Sequence, residues 1–225
     1  MVFTKLQTLL HEEVFTYGSL FNCIWIHNIT ESSPCKDGEK RPRVFQTTYQ
    51  GGNMTLQGKK VALLVEEMFN LYEFWYPYYR LKEEGAEVIV VGSGESEKFT
   101  GKPGTVATAD VAANDISAGD IDAVIIPGGY APDRMRRFPA MVKLVKDMDG
   151  AGKVVAAICH AGWMLVSADI LRGRKATSFV AIKDDMTNAG AQWVDEPLVV
   201  DGTLITSRKP DDMIFFLPAI IKALQ

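Results

Sequence analysis

The chain is poor in cysteine and histidine and has no excess of basic residues. It contains three cysteines and three histidines among 225 residues, and its formal net charge is −4. Three cysteines in a chain of this length do not make a disulfide framework, which indicates a reducing compartment. The negative charge balance offers no basic footprint for nucleic acid, so we expect no nucleic-acid partner.

Long apolar runs and targeting signals are also missing. No stretch reaches the roughly 18 to 20 uninterrupted apolar residues that a membrane-spanning helix needs. The first residues include Glu12 and Glu13 and do not lead from a basic start into an apolar block, so they do not resemble a signal peptide. We therefore expect a cytoplasmic protein with no membrane partner.

Motifs for cofactors and metals are incomplete. Gly92-Ser93-Gly94 lacks the third glycine of a dinucleotide-binding fingerprint. After residue 58, Cys159 is the only cysteine and His160 the only histidine, which leaves too few ligands for an ordinary zinc site. The sequence therefore predicts neither a cofactor nor a metal.

The pattern of the chain changes near residue 58. We interpret residues 1–57, which are irregular, as an N-terminal extension; the alternative is that translation starts at Met54 and the extension is a mis-annotation. Residues 58–225 alternate between apolar runs and helical spacing. Strands are predicted at 61–65, 87–91, 122–126, 154–158 and in a hairpin at 198–206, and helices at 71–85, 139–148, 162–168 and 211–224. This alternation predicts an α/β fold with a mostly parallel sheet between helices.

The fourth predicted strand ends at a chemically informative residue. Val154 to Ile158 is an apolar run, Cys159 follows it, and a helix-like stretch begins at Gly162. A cysteine on a sharp strand-to-helix turn is lifted out of the sheet towards the positive end of a helix, which favours the thiolate. The alternative is an inert cysteine at the end of a strand. The adjacent His160 favours a nucleophile, and we expect a thiol pKa well below about 8.5.

Three further groups are candidates to assist the sulfur. Glu73, in the first turn of the first helix, could donate a hydrogen bond from a protonated carboxyl, although an ordinary exposed acid also suits a helix start. Gly128 and Gly129 supply bare backbone at the end of a strand, where N–H groups can bind an oxyanion. Adjacent residues on a turn usually point apart, so we expect His160 to need an orienting partner, for which Asp133 is the candidate.

Several segments together carry a specific resemblance. They are Tyr76-Pro77-Tyr78-Tyr79-Arg80-Leu81-Lys82-Glu83-Glu84-Gly85, with Glu73 four residues before Pro77, then Pro127-Gly128-Gly129-Tyr130-Ala131-Pro132, Ala157-Ile158-Cys159-His160, Arg172-Gly173-Arg174 and Asn188-Ala189-Gly190-Ala191. These segments resemble the PfpI intracellular peptidases of the class I glutamine amidotransferase-like superfamily. The resemblance covers roughly residues 59 to 225.

The resemblance implies a flavodoxin-like three-layer sandwich with a nucleophile elbow. It implies that Cys159 is the nucleophile, Glu73 the carboxyl partner of the sulfur, and Gly128-Gly129 the oxyanion-binding turn. In the oligomeric peptidases a carboxylate from a neighbouring subunit orients the histidine. Asp133 is the matching position, which implies a homo-oligomer, a dimer or larger. The chain departs from the family at Ala161-Gly162-Trp163, where Gly-Pro often follows the histidine.

These observations predict a cytosolic, cofactor-free cysteine hydrolase of the PfpI type. The resemblance leaves two substrate classes open, namely peptides and glycated or carbonyl-damaged molecules such as methylglyoxal and its adducts on proteins. An alternative of another class is a non-catalytic stress-protective or redox-sensing protein in which Cys159 is oxidised. A binding module with a vestigial site is a third hypothesis.

Overall fold

A central sheet of seven strands organises the protein. The computed structural model describes residues 54–225, so most of the predicted extension lies outside the described residues. The strands are β1 (Lys60–Leu64), β2 (Glu87–Gly92), β3 (Lys98–Thr100), β4 (Val106–Thr108), β5 (Val111–Ala112), β6 (Ala123–Ile126), β7 (Val154–Ile158), β8 (Lys175–Ala176), β9 (Gln192–Trp193), β10 (Leu198–Asp201) and β11 (Leu204–Ser207). The large sheet has the order β10-β11-β7-β6-β1-β2-β5, and β3-β4 and β8-β9 form two small sheets.

In the described part of the chain, six α-helices connect or follow the strands. They are α1 (Leu71–Glu83), α2 (Ala131–Met135), α3 (Pro139–Gly150), α4 (Gly162–Ser167), α5 (Lys183–Asn188) and α6 (Met213–Leu224). The predicted helices are confirmed within a few residues, whereas α2 and α5 are too short to leave a periodic signal. None of the helices in residues 54–225 is long and apolar enough to cross a membrane.

All neighbouring strands of the large sheet are parallel except β10 and β11, which form the predicted antiparallel hairpin. Every residue of β6 and β7 is buried, as expected for strands that are covered on both faces. The predicted flavodoxin-like α/β sandwich is therefore confirmed. The chain runs from β1 to β2 on one side and returns to β6 on the other, so a topological switch point lies between β1 and β6.

The packing of the domain begins before residue 58. Leu56 is fully buried in the core, and its backbone N–H donates to the carbonyl oxygen of Glu84 at 2.9 Å. The Thr55 hydroxyl donates to the Glu84 carboxylate at 2.6 Å. The segment 54–57, which the sequence pattern assigned to the extension, therefore contributes a core side chain to the folded domain.

Candidate active site

The turn predicted after β7 is present, and Cys159 is its strained residue. The backbone of Cys159 has φ 64°, a left-handed conformation that costs a non-glycine residue on the order of 1 kcal/mol. The thiol is free and only 8% exposed. The chain then passes through a short 3₁₀ turn into α4 at Gly162, where an added Cβ would lie 2.6 Å from the sulfur of Met186. The fold thus holds the nucleophile candidate in a strained elbow.

His160 folds back on the cysteine that precedes it. Its Nδ1 lies 3.3 Å from the Cys159 sulfur, and its ring packs against Phe179 and Trp163 with centroid distances of 5.0 and 5.2 Å. The Trp163 Nε1 donates to Asp185 at 2.8 Å, which fixes the indole. His160 was expected to need an orienting partner, and within one chain this aromatic pair contacts the imidazole that turns back on the sulfur. Burial lowers the pKa of His160.

Glu73 is a buried acid beside the sulfur. Asn70 caps α1 by accepting from the N–H groups of Tyr72 and Glu73 at 3.0 and 3.3 Å, and this places Glu73 in the first helical turn with no exposed surface. Its Oε2 accepts from the Gly128 N–H at 2.7 Å, and its carboxyl reaches Cys159. Burial raises the pKa of Glu73 to about 8. The carboxyl is therefore protonated at neutral pH and able to donate to sulfur.

The thiol itself is shifted in the direction opposite to the prediction. Burial, and secondly the charge of an ionised Glu73, raise the pKa of Cys159 to about 12, although the backbone N–H groups of Gly129 and His160 act against the shift. The expectation of a pKa well below that of a free thiol is therefore wrong. The charge of Glu73 contributes only above about pH 8, where that carboxyl ionises, so at neutral pH the thiol faces an uncharged acid.

The two glycines of the predicted oxyanion turn have different roles. Gly128 donates its N–H to the Glu73 carboxyl, so in this structure the predicted oxyanion donor is engaged with that acid. Gly128 is instead required for space, since a Cβ there would lie 2.7 Å from both the Cys159 Cβ and the Glu73 Oε2. Gly129 adopts φ 80°, and its backbone N–H and that of His160 counteract the rise in the pKa of the Cys159 thiol. No pattern in the sequence indicated the second of these donors.

A cavity of about 640 Å³ opens above the sulfur. Met68, Tyr130 and Phe179 give it apolar walls, and Cys159 and His160 form its floor. Asp133 does not line this cavity. It is an exposed residue of α2 in an adjoining hollow that shares Met68, Lys102 and Tyr130 with the site. The structure therefore brings together Cys159, His160, Glu73 and Gly129, and it leaves Asp133 outside the group within one chain.

The described part of the chain contains no cluster of side chains that could bind a metal ion. Among residues 54–225 no three His, Cys, Asp or Glu side chains are grouped so that they could hold a metal ion. The reactive groups are instead a thiol, an imidazole and a protonated carboxyl within one buried cluster. These groups are suited to nucleophilic addition to a carbonyl carbon with proton transfer from the thiol to the imidazole.

Comparisons with known sequences agree with this geometry. A sequence profile described as the DJ-1/PfpI family matches residues 59–223. A protein of Pyrococcus abyssi named as a deglycase is 43% identical over 166 residues, which are 74% of this chain and 99% of that protein. The deglycase PfpI of Pyrococcus furiosus is 41% identical over the same length, with the same coverage. Protein/nucleic acid deglycase 2 of Escherichia coli is 38% identical over 160 residues, which cover 70% and 93% of the two chains.

Solved structures show the same architecture. The DJ-1/ThiJ/PfpI-like and ferritin-like two-domain protein of Anabaena variabilis has a TM-score of 0.72 and 49% identity over 74% of this chain. The match spans half of that longer chain. DJ-1beta of Drosophila melanogaster has a TM-score of 0.69 and 27% identity, with 74% of this chain and 90% of that chain covered.

Proposed function

Because this chain belongs to the DJ-1/PfpI family, we propose that it is a cytoplasmic, cysteine-dependent hydrolase of the PfpI type that acts on glycated or carbonyl-damaged molecules. One observation carries the proposal: the strained Cys159 sulfur lies 3.3 Å from the His160 Nδ1 and beside a buried carboxyl whose pKa is raised to about 8. Relatives at about 40% identity are named deglycases, which favours carbonyl adducts over peptides as the substrate.

The first chemical step follows from the positions of the donors and acceptors. The Cys159 sulfur attacks the carbonyl carbon of the substrate, an S–C bond forms, and the electrons of the C=O π bond move to oxygen. The thiol proton passes to His160 Nδ1, which is neutral at pH 7 because burial lowers its pKa. The backbone N–H groups of Gly129 and His160 are the donors nearest to the thiol in effect on its pKa, and in this proposal they bind the new oxyanion.

Proton transfer also explains how a thiol with a high pKa can react. A free thiolate need not accumulate, because His160 removes the proton as the S–C bond forms. The protonated Glu73 carboxyl lies beside the sulfur and can donate a hydrogen bond to it without adding negative charge. This role requires an acid that stays neutral at working pH, and burial of Glu73 supplies that condition.

Turnover of two substrates by the wild type and one variant tests the proposal. Wild-type protein and Cys159→Ala are compared on a methylglyoxal adduct of a lysine or arginine peptide and on a fluorogenic peptide. We expect the adduct to be turned over by the wild type and Cys159→Ala to lose at least about 1,000-fold in kcat/KM. Peptide cleavage alone would assign a peptidase. A stable sulfinate on peroxide titration with turnover of neither substrate would favour the redox-sensing alternative and overturn the proposal.

We also propose a homo-oligomer, a dimer or larger, in which the Asp133 carboxylate of one subunit orients His160 of another. Two features support this assembly. Asp133 is exposed and lies outside its own chain's site, and exposed aromatic residues Tyr72, Tyr76 and Tyr79 along α1 offer an apolar surface of the kind that protein contacts use.

A further inference from the structure

Two lysines stand at the rim of the catalytic cavity, and among residues 54–225 no acid lines it. Lys102 and Lys209 are both among its lining residues, together with Asn70 and the apolar walls. The nearest buried acid, Glu73, does not line the cavity, and Asp133 belongs to the adjoining hollow. Two cationic side chains therefore border the cavity in a chain whose formal net charge is −4.

Backbone hydrogen bonds fix the position of Lys102 relative to the sulfur. Its N–H donates to the carbonyl oxygen of the fully buried Phe69 at 3.0 Å. The same segment pairs with the oxyanion turn, since Phe69 forms a β-bridge with Gly129 and Asn70 donates to the Gly128 carbonyl at 3.1 Å. The Lys102 ammonium lies 5.3 Å from the centre of the Tyr130 ring. Lys102 is thus anchored through one segment to the turn that faces Cys159.

Lys209 approaches from the opposite side. Strand β11 ends at Ser207, which pairs with Ile158, the residue before Cys159, and Lys209 follows two residues later. The Lys209 ammonium pairs with Asp211 at 3.2 Å, but both side chains are largely exposed. An exposed pair of this kind is worth at most about 1 kcal/mol, so Lys209 remains able to bind a ligand anion.

We propose that Lys102 and Lys209 form a subsite for an anionic group, carboxylate or phosphate, on the carbonyl substrate that reacts at Cys159. The substrate would then be a small α-oxo compound or its adduct that carries a negative charge, with its apolar part against Met68 and Phe179. This inference rests on the proposed function for the identity of the reacting group. The charge preference itself can be measured without turnover.

Matched alkylating reagents test the subsite directly. Iodoacetate and iodoacetamide transfer similar groups to sulfur with loss of iodide, and only the first carries a carboxylate. The ratio of their rates at Cys159, measured by site-resolved mass spectrometry at low ionic strength, is compared with the ratio for glutathione. We expect the Cys159 ratio to be about fivefold higher than the glutathione ratio, and about 0.5 M salt to remove most of that difference.

Lysine variants identify the source of the preference. Lys102→Gln and Lys209→Gln should each lower the ratio about two- to threefold, and Lys102→Arg should retain it. Lys146→Gln, which makes the same charge change at an exposed position of α3, should leave the ratio unchanged. A wild-type ratio equal to that of glutathione, or an unchanged ratio in both lysine-to-glutamine variants, would overturn the subsite.

Protection experiments separate the two anion classes. Sodium phosphate and sodium acetate are compared, at matched ionic strength, for their ability to slow the reaction of Cys159 with iodoacetamide. Protection by phosphate alone supports a phosphate-bearing substrate, protection by acetate alone supports a carboxylate, and protection by both supports the shared anionic chemistry. Protection by neither anion contradicts the subsite. Loss of deglycase turnover with an intact charge preference would count against the proposed function only.

Discussion

Two glutamates are buried near the carboxyl edge of the sheet, and their carboxyl groups differ in how many hydrogen bonds they make. Glu66 follows β1 and is 3% exposed. Its Oε1 accepts from the Ser93 hydroxyl and its Oε2 from the Glu67 N–H, both at 2.6 Å. Glu73 has no exposed surface, and its Oε1 has no hydrogen-bond partner among residues 54–225.

This difference in hydrogen bonding indicates that Glu66 stabilises the fold and that Glu73 takes part in the reaction. A buried polar atom without a partner costs about 1 to 3 kcal/mol, whereas a fully bonded one costs little or contributes to stability. Glu66 therefore ties β1 to the loop after β2, and its substitution should affect folding. Glu73 keeps a proton next to sulfur at the expense of stability, which is the usual relation between active sites and folding stability.

The largest expected effect is on turnover. Glu73→Leu should lower kcat/KM about 100-fold or more, because it removes the neutral carboxyl that can donate a hydrogen bond to the sulfur. Glu66→Gln should stay within about twofold of the wild type, because Glu66 does not touch the cavity. Steady-state kinetics on the adduct substrate give both values. Equal losses in the two variants would show that the comparison between the acids is wrong.

The next effect is on the free energy of unfolding, which should respond differently to substitution of the two acids. The folded-state pKa of Glu73 is about 8, above the value of 4.5 for a free glutamate side chain. Between these values the unfolded chain loses a proton that the folded protein keeps, so the free energy of unfolding of the wild type falls as pH rises through this window. Glu73→Gln removes this dependence. Its stability relative to the wild type should increase by about 3 kcal/mol from pH 4 to pH 7.

Urea denaturation at several pH values measures this difference. Glu66→Gln serves as the matched variant, and it should be destabilised by about 1 to 3 kcal/mol at neutral pH, because it weakens two hydrogen bonds to a buried carboxyl. A pH-independent difference between Glu73→Gln and the wild type would show that Glu73 is ionised in the folded protein at neutral pH.

The smallest expected effect belongs to a third, exposed acid. Asp133→Ala should lower turnover by about 10-fold, a loss typical of a misoriented base and not of a missing nucleophile. Light scattering should show a dimer or a larger assembly. Asp147→Ala, which changes a half-buried α3 acid that does not line the cavity or the adjoining hollow, is the control and should be neutral. A fully active monomer, or unchanged turnover in Asp133→Ala, would exclude a shared site and leave Glu73 as the only catalytic carboxylate.

Local patterns were enough to predict the frame of the site. The continuous apolar runs of β1, β6 and β7 and the helical spacing of α1 lie in short windows, and they led to the sheet and to the turn at Cys159. Strands of two or three residues such as β5 and β8 have no pattern long enough to recognise. The sequence therefore predicted the central strands and missed the small sheets.

The details of the site depend on contacts between distant segments. Gly128 donates to Glu73, which is 55 residues earlier in the chain, and no local signal distinguishes that role from oxyanion binding. The ring of His160 is held partly by Phe179, whose segment is bound to the elbow when the Phe179 N–H donates to the Cys159 carbonyl at 3.2 Å. The raised pKa of the Cys159 thiol likewise results from burial. The sequence pattern indicated only the start of the following helix, which would lower that pKa.

One tripeptide, Met68 to Asn70, connects the glycine turn, the Lys102 loop and α1 by backbone hydrogen bonds. Tyr130 donates to the Met68 carbonyl at 3.0 Å, Lys102 donates to the Phe69 carbonyl at 3.0 Å, and Asn70 begins α1 and donates to the Gly128 carbonyl at 3.1 Å. Opening of this tripeptide would release the glycine turn, the Lys102 loop and the helix that holds Glu73 at the same time. The amide hydrogens of Asn70, Lys102 and Tyr130 should therefore exchange with solvent as one cooperative unit, with a common opening free energy.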